Sequence, residues 1–159
     1  MTLQPDSPAL PGSRRRLWLV WLQVVLVVLL AYALILVFAG TFAQSLFVTL
    51  GFGPPASLES EELSAYLRLP FAVLGAVMAG WAALMLMLVR GPLVSGARWA
   101  LPALVVPLAL WFILDTGMSL VLGYPTHALF NVPFALALGV PLWRLWVIDR
   151  STSGTVTSP

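Results

Sequence analysis

Four long runs of apolar residues constrain this chain more than any other feature of its sequence. The runs lie at about 17–41, 70–89, 99–122 and 125–148. About 20 mainly apolar residues are enough for an α-helix to cross the hydrocarbon core of a bilayer. Only 9% of the 159 residues are charged, whereas soluble domains average about 25%. The sequence therefore predicts an all-α, polytopic integral membrane protein with four transmembrane helices in an antiparallel bundle.

The distribution of arginine predicts the orientation of this bundle. Seven of the eight arginines lie at one end of the predicted helices, and the exception is Arg68. The seven are Arg14, Arg15, Arg16, Arg90, Arg98, Arg144 and Arg150. Because basic residues are retained on the cytoplasmic side, we expect both termini in the cytoplasm and a multi-pass protein of the cell inner (plasma) membrane. The basic charge then reflects topology, so the lipid bilayer is an expected partner and nucleic acid is not.

The segments outside the apolar runs predict two tails and one short helix. Residues 1–13 and 151–159 are rich in Pro, Ser, Thr and Gly, so we expect disordered cytoplasmic tails around a single membrane domain at 14–150. The first outer loop contains "SLESEELSAYLRLP", which predicts a short amphipathic helix with Ser57 as its N-cap. The first apolar stretch is too long for one crossing, so it either projects outward or breaks near Gly40.

Small residues in the second run predict a close approach between helices. Gly75 and Ala79 are four residues apart, and so are Ala76 and Gly80. Small residues at this spacing form a stripe on which a second helix can pack closely in a membrane. We expect this stripe to pack within the bundle rather than against a second chain.

Polar side chains recur on both sides of the predicted turn at 123–125. A glycine is common just past the end of a helix, and a proline is common at the start of the next one. When the hairpin is folded about the glycine, Asp115 falls opposite Asn131 and Ser119 falls opposite His127. Residues four apart share one face of a helix. The two polar pairs are therefore expected to face each other.

Asp115 needs partners for its carboxylate or stays protonated, because an ionised group inside a membrane costs about 2.5 kcal/mol or more. Arg68, at the outer end of the second run, could reach it, and Trp111 lies one helical turn away. The predicted intramembrane polar cluster consists of Arg68, Trp111, Asp115, Thr116, Ser119, His127 and Asn131. This cluster has two interpretations, a structural clamp between helices or a ligand pocket that opens outward between the second, third and fourth helices.

No cofactor, metal or catalytic residue is predicted. The chain has no cysteine, which excludes thiolate ligands. Its one histidine, His127, cannot supply both axial ligands of a bis-histidine haem, and the sequence lacks paired histidines at helical spacing. Phosphate-binding and dinucleotide-binding motifs are also absent. An enzyme acting on lipid stays open as a weaker interpretation, since no nucleophile is marked.

Two functional hypotheses remain. The first is a structural or accessory subunit that contacts a larger membrane protein or further copies of itself, because the chain has almost no soluble mass. The alternative is a small-ligand-binding or transport-related protein that uses the outward-facing polar pocket. An intramembrane ionisable residue such as Asp115 often marks such a pocket. A conduit made by this chain alone is disfavoured, because ion pathways need polar groups across the whole core.

Overall fold

The computed structural model describes residues 11–49 and 60–153, and every regular element in these ranges is a helix. The helices are α1 (Pro11–Phe38), α2 (Gly40–Thr49), α3 (Glu61–Leu88), α4 (Ala100–Val121) and α5 (Pro125–Ser153), and a π-helical turn at Val89–Leu93 extends α3. Four of these elements, namely α1, α3 with its π-helical turn, α4 and α5, are long and apolar enough to cross a membrane. The prediction of an all-helical chain with four such helices is confirmed.

The ends of the helices differ from the predicted boundaries. α1 begins at Pro11, inside the segment expected to be a tail, and α5 continues to Ser153. The rest of both predicted tails lies outside the described residues. The first apolar stretch is broken near Gly40, which is one of the two predicted alternatives. α1 ends at Phe38 and α2 begins at Gly40.

The structure contradicts the prediction of a separate amphipathic helix in the first outer loop. From Glu61 onward this segment forms the first turns of α3, and Pro70 lies inside that helix. A proline removes one backbone hydrogen bond, and membrane helices tolerate such a loss when neighbouring groups compensate. The N-cap of α3 is Ser60, whose side chain accepts a hydrogen bond from the Leu63 backbone N–H at 3.0 Å. Ser57 lies outside the described residues.

The buried core sits at the arginine-bearing end of the helices. Its members are Leu19, Leu22, Leu26, Met85, Val89, Leu93, Ala100, Leu104, Leu108, Leu138, Leu142 and Leu145. Arg15 joins three elements beside this core. Its guanidinium donates to Asp149 Oδ1 at 3.1 Å and to the backbone oxygen of Leu93 at 2.7 Å. The start of α1, the π-helical turn and the end of α5 therefore meet at one residue.

The contact between α1 and α3 depends on Gly75. A Cβ atom added at Gly75 would lie 2.6 Å from the backbone oxygen of Ala33 and 2.8 Å from Leu36 Cβ. Only a residue without a side chain fits, so this part of the small-residue stripe packs against α1 of the same chain, as expected. Gly80 differs, because a Cβ added there would meet nothing within 4 Å, and both Gly80 and Ala76 are exposed.

Candidate functional site

The turn between α4 and α5 aligns the polar residues of the two helices. Gly123 has a φ of 82°, the left-handed conformation in which glycine carries no penalty. The Tyr124 N–H donates to the Ser119 carbonyl at 2.8 Å, and the Gly123 N–H donates to the Leu120 carbonyl at 3.1 Å. This pair of bonds is a Schellman motif, which ends α4 before Pro125 begins α5. The tight turn sets the register of the hairpin.

Asp115 is the centre of the polar cluster. The Asn131 side chain donates to Asp115 Oδ2 at 2.7 Å and to Thr116 Oγ1 at 3.2 Å. His127 Nε2 lies 3.5 Å from the same carboxylate oxygen, a contact that is an ion pair only when the imidazole is protonated. Asn131 is 3% exposed, so its amide is committed to this contact. Asp115 thus lies opposite Asn131, the pairing that folding the hairpin about Gly123 predicts.

Ser119 takes a different role from the one expected. Its hydroxyl donates to the backbone oxygen of Asp115 at 2.7 Å, one turn earlier in α4. Ser119 is therefore satisfied within its own helix, and His127 lies against Asp115 instead. A serine hydroxyl commonly bonds to the carbonyl four residues before it, and this bond needs no partner from another helix.

The second carboxylate oxygen of Asp115 is accessible. Both contacts from α5 go to Oδ2, and Oδ1 accepts no hydrogen bond from any residue within 11–49 or 60–153. Within these ranges, every fully buried side-chain oxygen or nitrogen has a hydrogen-bond partner. Because Oδ1 has none, it is not fully buried and borders open space. An accessible carboxylate oxygen at this position can accept a hydrogen bond from a molecule that enters.

A cavity of about 1000 Å³ lies at the end of the helices away from the core, and we call it the polar cavity. It is bounded by α2, the first turns of α3, the end of α4 and the start of α5. Its polar lining residues are Thr41, Gln44, Ser45, Thr49, Ser60, Glu61, Ser64, Asp115, Ser119, Tyr124, Thr126 and His127. Asp115 and His127 are both part of this lining.

A second cavity of about 490 Å³ lies among α1, α3, α4 and α5, and we call it the apolar cavity. Its lining includes Trp81 and Trp111, whose ring centroids are 6.2 Å apart. Its remaining lining residues are mostly aliphatic or aromatic, and Tyr32 and Asn131 are among the few polar ones. Phe47, Asp115 and His127 line both cavities. The carboxylate therefore stands between a polar and an apolar space.

Helix α2 forms one wall of the polar cavity and is attached to α3. The Gln44 amide donates to the Ser64 carbonyl at 3.1 Å, and the Ser64 hydroxyl donates to Gln44 Oε1 at 2.7 Å. Farther along α2, the rings of Phe47 and Phe71 meet edge to face with centroids 5.2 Å apart. These contacts hold Phe47 where it lines both cavities.

Arg68 differs from the other predicted members of the cluster. Arg68 is exposed and lines neither cavity, and the ion pairs formed among the described residues do not include it. The described residues at the start of α3 that line the polar cavity are the N-cap Ser60 together with Glu61, Leu63, Ser64, Leu67 and Phe71. Arg68 lies on the same side of the helix as Glu61 and Ser64, seven and four residues before it, but it is not part of the lining. Trp111 lines the apolar cavity one turn from Asp115.

The cluster lacks the donors that a metal ion requires. No group of three His, Cys, Asp or Glu residues converges anywhere in the described ranges. Asp115 and His127 together supply two ligands, and structural zinc sites use four. The arrangement is suited to accepting and donating hydrogen bonds beside an apolar space. Such a combination orients a small organic molecule.

Several lining residues were not identified from the sequence. Gln44 and Phe47 lie in "TFAQSLFVTLGFGPP", which the sequence suggested would lie at the membrane interface. The signal for their role was the polar pair Gln44 and Ser45 within an apolar stretch. Trp81 was missed because an aromatic residue in a membrane helix resembles any other packed side chain.

Comparison with known proteins gives no further guidance on this site. No known protein family, curated protein or solved structure matches the chain. The role of the site is therefore argued from its geometry.

Proposed function

We propose that this chain is a small-ligand-binding integral membrane protein whose site lies at Asp115. In this proposal the four long helices form an antiparallel bundle, and the polar cavity opens to the outside of the cell. The observation that carries the proposal is the position of Asp115, which lines both cavities and keeps one carboxylate oxygen accessible. A ligand would enter from the polar cavity and reach the apolar one.

The surroundings of Asp115 favour a binding site over a purely structural clamp. A clamp is best served by a carboxylate whose oxygens are both satisfied within the protein, because an unsatisfied charge near the membrane core is costly. Here the contacts from α5 all reach Oδ2. The two cavities, of about 1000 and 490 Å³, also match the range of about 300–1,000 Å³ that is usual for small-molecule sites.

The proposal is tested by purifying the chain from its native host in a gentle detergent and analysing the bound molecules by mass spectrometry. The test uses a cavity-filling variant, Leu114→Trp, and its neighbour Ile113→Trp as a matched control. Leu114 lines the apolar cavity and Ile113 lines neither cavity, although both are exposed apolar residues of α4. We expect a stoichiometric small molecule on the parent and on Ile113→Trp, and its loss from Leu114→Trp. Equal recovery from all three chains would place that molecule elsewhere and contradict the proposal.

A second candidate is the accessory subunit, and one observation favours it. Ala76 and Gly80 form an exposed stripe of small residues on α3, where an added Cβ at Gly80 meets nothing within 4 Å. A helix from a larger membrane protein, or from a second copy of this chain, could approach closely there. The same purification would then recover a stoichiometric protein partner. That partner would be lost from an Ala76→Leu variant and retained by Leu114→Trp.

A further inference from the structure

We infer that the ligand is a cationic amphiphile, a protonated amine that carries an apolar chain or ring. This inference rests on the proposed function, because it names the class of molecule that the site at Asp115 would take. It is argued from the charge of the polar cavity, the hydrogen-bonding state of Asp115 and the lining of the apolar cavity.

The described lining of the polar cavity has more acidic side chains than arginines and lysines. Asp115 and Glu61 are acidic, and none of the described residues that line the cavity is Arg or Lys. Arg68, seven residues after Glu61, is exposed and outside the lining. A ligand with an anionic head would meet two carboxylates, and His127 is the one basic side chain among the described lining residues. Repulsion between like charges that nothing neutralises is an effective way for a site to exclude a ligand.

The bonding of Asp115 specifies a donor on the ligand. Asn131 and His127 both lie against Oδ2, so these two residues orient the carboxylate and leave Oδ1 accessible. An alkylammonium head has several N–H donors and a full positive charge, so it can satisfy Oδ1 with a charge-assisted hydrogen bond. A hydroxyl head could donate as well, but it would leave the negative charge of the cavity unbalanced.

The apolar cavity specifies the remainder of the ligand. Asp115, Phe47 and the ring pair of Trp81 and Trp111 all line it. Aromatic side chains of this kind bury large apolar surfaces of a bound molecule. An inorganic cation would leave this space unfilled and would find too few ligands at Asp115. A molecule with a cationic head and an apolar body fills both spaces at once.

The inference is tested with three probes that share one alkyl chain: dodecylammonium, dodecanol and dodecanesulfonate. Each is titrated into the purified full-length chain in a non-ionic detergent, and bound probe is counted by native mass spectrometry. We expect dodecylammonium to bind about tenfold or more tightly than dodecanesulfonate, because hydrogen bonds to charged groups are strong enough for such a ratio. Asp115→Asn should remove most of this preference.

A matched pair of variants separates the cavity charge from general effects on the fold. Glu61 and Glu62 are adjacent and exposed in the first turn of α3, but only Glu61 lines the polar cavity. Glu61→Gln should reduce the preference for dodecylammonium, and Glu62→Gln should leave it unchanged. Each variant is checked for an unchanged helical circular dichroism spectrum and a single size-exclusion peak. Glu61→Gln keeps the test decisive if Asp115→Asn does not fold.

The outcomes distinguish this inference from the proposed function. Equal or tighter binding of dodecanol or dodecanesulfonate, at a site blocked by Leu114→Trp, would overturn the cationic ligand and leave the ligand site in place. Dodecylammonium binding that is unaffected by both Asp115→Asn and Glu61→Gln would also overturn it. If Leu114→Trp changed the binding of none of the three probes, the site itself would fail, and the inference with it.

Discussion

Asp115 shows how far a single residue can be interpreted from sequence. Its pairing with Asn131 followed from the position of Gly123, because a tight turn sets the register of the two helices that it joins. The accessibility of Oδ1 did not follow, since it depends on a space bounded by α2 and α3. Local spacing predicts partners within a hairpin and says little about a cavity formed by distant segments.

The Asn131 contact makes a measurable contribution to stability. Asn131→Leu removes both hydrogen bonds of the amide and leaves Asp115 with His127 as its side-chain partner. We expect a loss of about 1–3 kcal/mol in the free energy of unfolding, because hydrogen bonds to a charged group contribute about that much. Reversible unfolding of the purified chain in detergent measures it.

The double variant Asp115→Leu/Asn131→Leu serves as the control for that measurement. With both polar partners replaced, the unsatisfied carboxylate is removed, so part of the lost stability should return. If the double variant lost as much free energy of unfolding as Asp115→Leu and Asn131→Leu lose in sum, the two side chains would not be coupled.

Among the helices, α3 departs most from expectation. Pro70 stands between a polar, acidic segment and an apolar one, and that change in composition suggested two separate helices. The structure has one helix because a proline removes a single hydrogen bond and need not end the helix. The path of α2 could not be predicted either. Its attachment to α3 depends on Gln44 and Ser64, which are 20 residues apart and show no shared pattern in the sequence.

The contact between α1 and α3 predicts opposite effects at two glycines of one helix. Gly75→Ala should destabilise the fold by about 1–3 kcal/mol, because its Cβ would collide with the backbone of Ala33. Gly80→Ala should stabilise it by about 0.5–1 kcal/mol, since the added methyl group meets nothing and alanine favours a helix. Unfolding midpoints of the two variants, measured in the same detergent, test this. Equal effects at both positions would contradict the packing described.

For the whole molecule, the sequence predicted the number of long helices well and the distribution of packing poorly. Runs of apolar residues are read directly from composition, so four long helices could be expected. The packing could not be expected from the sequence: a dense core lies at the arginine-bearing end, and two cavities lie toward the other end. Apolar residues that face lipid, a cavity or another helix look alike in sequence.

The orientation of the chain in its membrane gives a further prediction. The parent has no cysteine, so a single introduced cysteine is the only site for a thiol reagent. Thr126 lines the polar cavity, Ser95 lies between Arg90 and Arg98, and both are exposed. A membrane-impermeant maleimide should label Thr126→Cys in intact cells, and should label Ser95→Cys only after permeabilisation.

The cysteine-free parent reports background labelling in that experiment. If the arginine-bearing end faced outward, the pattern would reverse, with Ser95→Cys labelled in intact cells and Thr126→Cys protected. That result would contradict the expectation that both termini lie in the cytoplasm.

The contacts of Arg15 have a consequence for motion. This residue bonds the start of α1 to the π-helical turn and to the end of α5, beside the buried core. Small changes in helix tilt about this anchored end would alter the far end most, where the two cavities lie. The volume available to a guest molecule can therefore change while the dense half of the chain keeps its packing. Under the proposed function, this arrangement would let the site take molecules of different sizes without partial unfolding.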